Sequence, residues 1–310
     1  MSAASPDILA LVCPACRAPL AATEAAGRRC AACGADYPAR AGVPVLLDED
    51  EWRQARAHMD HEAAARYAYS VVRRDAPLTV QYFDWWVERL FGEVPPGLGP
   101  ELVELMCGGA EVCRRMPARF TRAVALDLDV EMVEQAARDL AVQGEVRVVT
   151  VGGTAARLPL PDACTAVVIV QGALHHARPL LDDVLREIHR ILRPGGVLVG
   201  SEPADDNPLI HAVRDWQYRR STFQGNDPDE KGFDRAELAG LLAQAGLRLD
   251  RYRTFGYIAY PLMGLTDLIP LLRHTRSLRL GRALLALDSA LERIPLVRSL
   301  AWASLWRAFK

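Results

Sequence analysis

Four cysteines near the start of the chain are spaced for one metal ion: Cys13-Pro-Ala-Cys16 and Cys30-Ala-Ala-Cys33, with thirteen residues between the pairs. Each Cys-x-x-Cys knuckle turns tightly enough to aim two thiolates at one point, and two knuckles close a tetrahedron around it. Four thiolates leave no open coordination position. A zinc ion held this way is therefore structural, supplying folding energy that about forty residues cannot bury for themselves. A second set of residues suits a nucleotide-like ligand. Leu102-Val-Glu-Leu-Met-Cys-Gly-Gly-Ala110 reads as a buried strand running into a tight turn at Gly108 and Gly109, which aims backbone N–H groups at the ligand. About twenty residues later, Ala123-Val-Ala-Leu-Asp127 ends a second apolar strand in a carboxylate. An acid at that place takes both hydroxyls of a ribose, or caps the following helix. A third set can move a proton: His175 and His176 after the fourth strand, Glu202 after the fifth, and His211 beyond it. The histidine pair also suits a merely structural task, ordering its loop and capping the next helix.

Positioning these groups requires strands and helices in alternation, and the hydrophobic pattern supplies them. Strands are expected at 101–106, 122–127, 146–151, 164–170 and 196–201, with helices at 110–118, 129–142, 179–192 and 206–221. A helix at 234–246 and a strand near 248–256 follow. Residues 302–309 alternate well enough for a last, antiparallel strand, with a helix as the competing reading. This order argues for a parallel sheet with helices on both faces. Ahead of it, Asp48 to about Arg74 is helical in period, and Pro77 to Phe91 is a helix carrying Tyr82, Phe83, Trp85, Trp86 and Phe91. That aromatic stripe reads as core, or as a lid over a pocket. Pro95-Pro-Gly-Leu-Gly-Pro100 is a breaker-rich linker, and 262–294 is a run of amphipathic, locally basic helices.

At 310 residues the chain can bury a full domain and a small one. A net charge of −2 argues against a general nucleic-acid binder, although the final forty residues carry a net charge of about +6. Lys231 and Lys310 are the only lysines. The N-terminus lacks a basic segment followed by a long apolar run, so no signal peptide is expected, nor any spanning helix. Seven cysteines then point to a reducing cytoplasm, with metal binding in place of disulfides.

Two resemblances extend these readings. The N-terminal segment, with Tyr37-Pro-Ala-Arg-Ala-Gly-Val-Pro-Val-Leu-Leu47 after the cysteines, resembles the zinc ribbons of the Trm112-like group, which implies a metal-held platform attached to a methyltransferase. Residues 100–202 resemble the class I S-adenosylmethionine-dependent methyltransferases, particularly the UbiE-like small-molecule group. The resemblance is carried by Val103–Ala110, Ala125-Leu-Asp-Leu-Asp-Val-Glu-Met132, Leu158-Pro-Leu-Pro-Asp162, Leu174-His-His176 and Glu187-Ile-His-Arg-Ile-Leu-Arg-Pro-Gly-Gly196. It implies a Rossmann-like, seven-stranded α/β sheet with a small N-terminal zinc ribbon and extra C-terminal helices. The expected divisions are a ribbon over 1–48, a helical connector or lid over 49–99, and a methyltransferase domain over 100–310 that contains the 262–294 helices as an insertion.

The resemblance also implies roles toward S-adenosylmethionine. Glu104 caps the loop or holds the methionine ammonium through water, Asp127 takes the ribose, and Leu128 and Met132 lie around the adenine. Thr154, beside Ala155, stands where the family often has an acid, and Gln171 pairs with polar groups of cofactor or acceptor. Met106 and Ala110 replace the first and third glycines of the family's turn, which is expected to cost pocket volume. Cys107 and Cys113 read as packing. The expected activity is methyl transfer to a small, fairly apolar metabolite, by O-, N- or C-methylation. The alternative is a methyltransferase fold that has lost methyl transfer and catalyses another reaction or binds a partner. An RNA acceptor is a third reading. The basic C-terminal helices could rest on an anionic membrane surface, and the aromatic helix at 77–91 with the leucine-rich C-terminal helices could build a hydrophobic acceptor pocket or a dimer face.

Overall fold

A computed structural model describes residues 7–24, 26–53, 76–205, 210, 212, 231–264, 272 and 274–310. The cysteine segment forms short antiparallel strands: β1 (Leu20–Ala22), β2 (Arg28–Cys30) and β3 (Asp36–Tyr37) in one sheet, then a hairpin of β4 (Ala39–Arg40) and β5 (Val43–Pro44). Ala41 and Gly42, both at positive φ, make the two-residue turn of that hairpin. The chain then reaches the edge of a larger sheet, where Val45 bridges Gly152 and Leu46 N–H donates to Gly152 O at 2.7 Å.

Helix α1 (Pro77–Glu93) begins with proline at its first turn, where no N–H is needed. The large sheet contains β6 (Glu101–Leu105), β7 (Arg122–Asp127), β8 (Val148–Gly152), β9 (Thr165–Gln171), β10 (Leu192–Pro203), β11 (Arg248–Phe255) and β12 (Ala303–Phe309). Their order is β11-β12-β10-β9-β6-β7-β8, and β12 runs antiparallel to both neighbours. Helices α2 (Val130–Val142), α3 (Leu181–Ile191), α4 (Arg235–Gln244) and α5 (Leu278–Leu291) complete the described framework. The seven-stranded Rossmann-like sheet expected from the resemblance is present, with the last strand antiparallel.

Alternate residues of the parallel strands enter two separate cores. Val103, Leu105, Val124, Leu126 and Val168 pack with Leu185 and Ile188 of α3, and the ribbon's Ile8, Leu11 and Leu46 join the same layer. Leu102, Ala123, Ala125 and Ile169 pack on the opposite face with α1 and α2. The ribbon is tied further by Val12 N–H to Pro159 O at 3.0 Å, by Arg17 to Glu187 at 2.8 Å, and by Arg157 to Asp48 at 2.5 Å and Glu51 at 2.6 Å.

Three expectations need correction or fall outside the described residues. The helix expected at 110–118 is a run of turns ending in a single 3-10 turn, Cys113–Arg115, because Pro117 disfavours a helical Met116. Of the helices expected over 262–294, the described residues hold the π-helical turn Tyr260–Gly264 and α5, which starts at Leu278 after its Ser277 cap; residues 265–271 and 273 lie outside them. The helix expected over 206–221 lies almost wholly outside the described residues, as do residues 54–75 of the connector.

Candidate functional site

Strand order reverses between β6 and β9, since β6 continues to β7 on one side and β9 lies on the other. The crevice beyond the carboxyl ends at such a switch point is where open α/β sheets bind ligands. The turn leaving β6 occupies it. Met106, Gly108 and Ala110 have φ of 53°, 47° and 56°, so left-handed residues alternate along the turn. Two of them carry a Cβ, which costs roughly 1–2 kcal/mol each.

The surroundings enforce this conformation from three sides. Buried Glu104 accepts Val112 N–H at 3.1 Å and Cys113 N–H at 2.7 Å. Asp127 Oδ2 accepts Gly108 N–H at 2.7 Å. Cys107 N–H donates to Leu126 O at 3.1 Å. The replaced glycines therefore cost backbone strain more than pocket volume. Ala110 is fully buried in the α1–α2 layer, and Met106 packs partly against the ribbon-side layer. A Cβ on Gly108 would meet only Met132 Cε, at 3.8 Å, which leaves the turn open on its ligand side.

Both oxygens of Glu104 are thus committed to the turn, which is the first of the two roles considered for it. Burial pushes its carboxyl up to about 7, against the pull of the Cys113 and Val112 N–H groups. A folded-state pKa above the unfolded 4.5 means that Glu104 contributes stability below pH 4.5 and loses it as pH rises through about 7. The stability of the wild type relative to Glu104→Gln should accordingly fall across that window, by on the order of 3 kcal/mol. Urea denaturation of both chains over pH 4 to 8 would show it, and a flat difference would refute the assignment.

Asp127 Oδ1 accepts Asp129 N–H at 2.8 Å, and burial raises its carboxyl above the usual range. Each oxygen retains a lone pair, so the carboxylate can still accept two hydroxyls. Beside it Leu128 is 39% exposed and Met132 is partly exposed, an apolar surface next to a sugar-binding acid. Thr154 Oγ1 accepts Ala156 N–H at 3.2 Å, closing its own turn and keeping a hydroxyl proton to donate; Thr154 and Ala155 are both nearly buried. Gln171, ending β9, has a buried Nε2 with no partner among the described residues. A buried amide donor without an acceptor costs about 1–3 kcal/mol, so a polar group arriving there would be stabilised. These residues fit a nucleoside bearing a polar tail.

At the far side of the crevice, Glu202 is 1% exposed and accepts four N–H groups. They are the backbone N–H groups of Ala173 at 3.1 Å, Leu174 at 2.8 Å and His175 at 3.3 Å, and His175 Nδ1 at 2.7 Å. Glu202 was a candidate for proton transfer, but its oxygens are committed to orienting this loop. A carboxylate only accepts, so His175 Nδ1 donates to it, and in the neutral ring Nε2 is then the nitrogen that carries the lone pair. His176 is exposed, and its ring lies 3.9 Å from that of His175. His211 lies outside the described residues. Cys107 and Cys113 are buried thiols pushed well above their usual range by that burial, and so are not nucleophiles.

Sequence reasoning missed Ser201, whose Oγ accepts Trp86 Nε1–H at 3.0 Å. Through it the aromatic helix is fastened to the end of β10, with the Trp86 ring packed over Gly172. The stripe is mostly core, since Tyr82, Trp86 and Phe91 are buried, while Phe83 stacks on Trp86 from a half-exposed position. A polar residue directly before Glu202 at a strand end was the available signal.

The four ribbon thiols lie within 4.8 Å of one another, with Cys13–Cys33 at 3.7 Å and Cys16–Cys30 at 3.4 Å. Zinc–sulfur bonds of about 2.3 Å at tetrahedral angles set sulfur–sulfur edges near 3.8 Å. A disulfide needs about 2.05 Å. Cys13 falls to about 6 despite burial, through Tyr37 and backbone N–H groups of its knuckle, and Cys30 falls through Cys33 N–H. Neighbouring sulfurs raise Cys16 and Cys33, although backbone N–H groups pull these two the other way. The set fits one tetrahedral thiophilic cation.

A family profile described as a methyltransferase domain matches residues 103–200. The chain is 34% identical over 113 residues to the ubiquinone/menaquinone biosynthesis C-methyltransferase UbiE of Rubrivivax gelatinosus, covering 36% of this chain and 42% of that protein. A 54-residue stretch is 50% identical to a UPF0434 protein of Alcanivorax borkumensis, covering 17% of this chain and 81% of that protein. Among solved structures, one from a complex between the Haloferax volcanii Trm112 methyltransferase activator and a methyltransferase shares the fold. Its TM-score is 0.51 at 19% identity, covering 85% of this chain and 98% of that one. Residues 103–200 thus match a methyltransferase domain, and over the 54-residue stretch the chain belongs to the UPF0434 family. It spans about half or less of the length of the curated methyltransferases it matches first.

Proposed function

We propose that the protein transfers a methyl group from S-adenosylmethionine to a small, fairly apolar metabolite, with a zinc ion bracing the ribbon. The observation that carries this reading is the turn at 106–110, which keeps its left-handed alternation although two of its three positions lack glycine. Strain of that kind is retained where the surroundings and the function over-determine it.

When bound, S-adenosylmethionine supplies an activated methyl group on a sulfonium sulfur. In this reading Asp127 holds the ribose hydroxyls, the turn at Gly108 and Gly109 admits the sugar and sulfur closely, and Leu128 and Met132 cover the adenine near Thr154 and Ala155. Gln171 meets a polar group of cofactor or acceptor. His175 Nε2 takes the acceptor's proton, and Glu202 is a positioning residue acting through His175. Trp86 and Phe83 give the acceptor an apolar wall and exclude water. Zinc bound by Cys13, Cys16, Cys30 and Cys33 has no open position, so its task is structural. An RNA acceptor fits less well with a net charge of −2.

Incubating the chain with methyl-labelled S-adenosylmethionine and a panel of apolar phenols, enols and carboxylic acids tests the reading. Label transfer should fall by about 100-fold or more in His175→Ala for a hydroxyl or carbon acceptor. It should fall less in Glu202→Gln. The second reading, a fold that binds the cofactor without transferring methyl, is favoured by the two non-glycine residues in the turn. Cofactor binding with no label transfer to any acceptor would select it.

A further inference from the structure

Helix α5 is two-faced in an unusual sense, because its acidic residues point inward. Asp288 is fully buried and accepts N–H groups of Gly256 at 3.0 Å, Ile258 at 2.7 Å and Ala259 at 2.9 Å. Glu292, just after the helix, pairs with Arg89 of α1, whose guanidinium lies 4.4 Å over the Trp85 ring. Gly281 brings the two helices so close that a Cβ there would lie 2.1 Å from Gln81 Oε1. The inner face is thereby fastened to α1, the helix whose Trp86 reaches the crevice.

The outer face has the opposite character. Leu280 and Leu287 are exposed two turns apart, and Ile294 and Leu296 continue the apolar surface beyond the helix, Leu296 at 91% exposure. Arg279, Arg282, Arg293 and Arg298 lie among them, exposed, with no acidic partner among the described residues. Cations alternating with large exposed aliphatics, and no outward acid, complement a surface that is anionic outside and apolar beneath. A second copy of the same face would bring like charges together, which argues against self-association.

We propose that α5 and the segment after it dock the protein on an anionic lipid bilayer, beside the helix that walls the acceptor side of the crevice. An apolar acceptor dissolved in the bilayer would then enter without crossing water. The docking itself is independent of methyl transfer and is read without it.

The test is co-sedimentation of the zinc-loaded whole chain with vesicles of phosphatidylcholine alone or mixed with phosphatidylglycerol. Binding is expected for the anionic vesicles only, and should weaken as salt is raised. Arg279→Glu with Arg282→Glu should weaken it by more than tenfold, since each basic residue near such a surface is worth about fivefold. Leu287→Glu with Leu296→Glu should weaken it at least as much. Melting curves and S-adenosylmethionine binding, expected to be unchanged in both pairs, separate loss of docking from loss of fold or of the cofactor site. Absence of vesicle binding would overturn the proposal, as would binding insensitive to the leucine pair. Binding of structured RNA in place of vesicles, or a dimer dissolved by Leu287→Glu, would equally overturn it.

Discussion

A Cys30→Ser chain is expected to melt about 6 °C or more below the zinc-loaded wild type, and to do so as a whole. Losing a metal that organises a domain belongs to the mechanisms costing more than about 4 kcal/mol, which for a chain of this size is a shift of that order. The effect should spread beyond the ribbon, because Ile8, Leu11 and Leu46 share one core with Leu126, Leu158 and Ile188. Leu46 is also hydrogen-bonded to the edge strand β8, next to the Gly152–Thr154 corner of the crevice. Calorimetric melting of the variant, and of wild type treated with a thiol-selective chelator, should show the same single lowered transition. An unmoved main transition with a separate early one would make the ribbon an independent appendage.

Asp127→Ala should reduce affinity for S-adenosylmethionine by about 100-fold or more. Two hydrogen bonds to an ionised acceptor are worth about 1.5–3 kcal/mol each, and every 1.4 kcal/mol is tenfold. The same substitution frees Gly108 N–H and Asp129 N–H, so the turn loosens as well. Gly108→Ala separates the two effects. It disturbs a left-handed residue at a cost of roughly 1–2 kcal/mol while leaving the carboxylate in place, so it should weaken binding much less. Titration calorimetry on the three chains, each checked for an intact melting transition, decides it. Unchanged affinity in Asp127→Ala would reduce Asp127 to a latch for the turn.

The parallel strands were legible because each is an apolar run closed by a polar or small residue. The left-handed positions of the turn were legible as the places where the family has glycine. The helix after the turn was not, because the apolar pattern of 110–118 looks helical while Pro117 and the Glu104 bonds hold it as turns. Glu202 was placed near the chemistry from its strand-end position. That it would be saturated by three backbone N–H groups and His175 depends on how the loop folds back, which no local pattern encodes. The Trp86–Ser201 bond joins residues 115 positions apart and was equally invisible. The cysteine cluster was the most legible feature, since two short turns fix each pair locally and only their meeting is tertiary.

The central claim is that the crevice at Gly108 and Asp127 accepts S-adenosylmethionine or its demethylated product. Titration calorimetry of the zinc-loaded wild-type chain with S-adenosylhomocysteine tests it most directly. Saturable one-site binding with a Kd in the micromolar range or tighter is predicted, corresponding to about −8 kcal/mol or better. No binding heat up to millimolar ligand would contradict it.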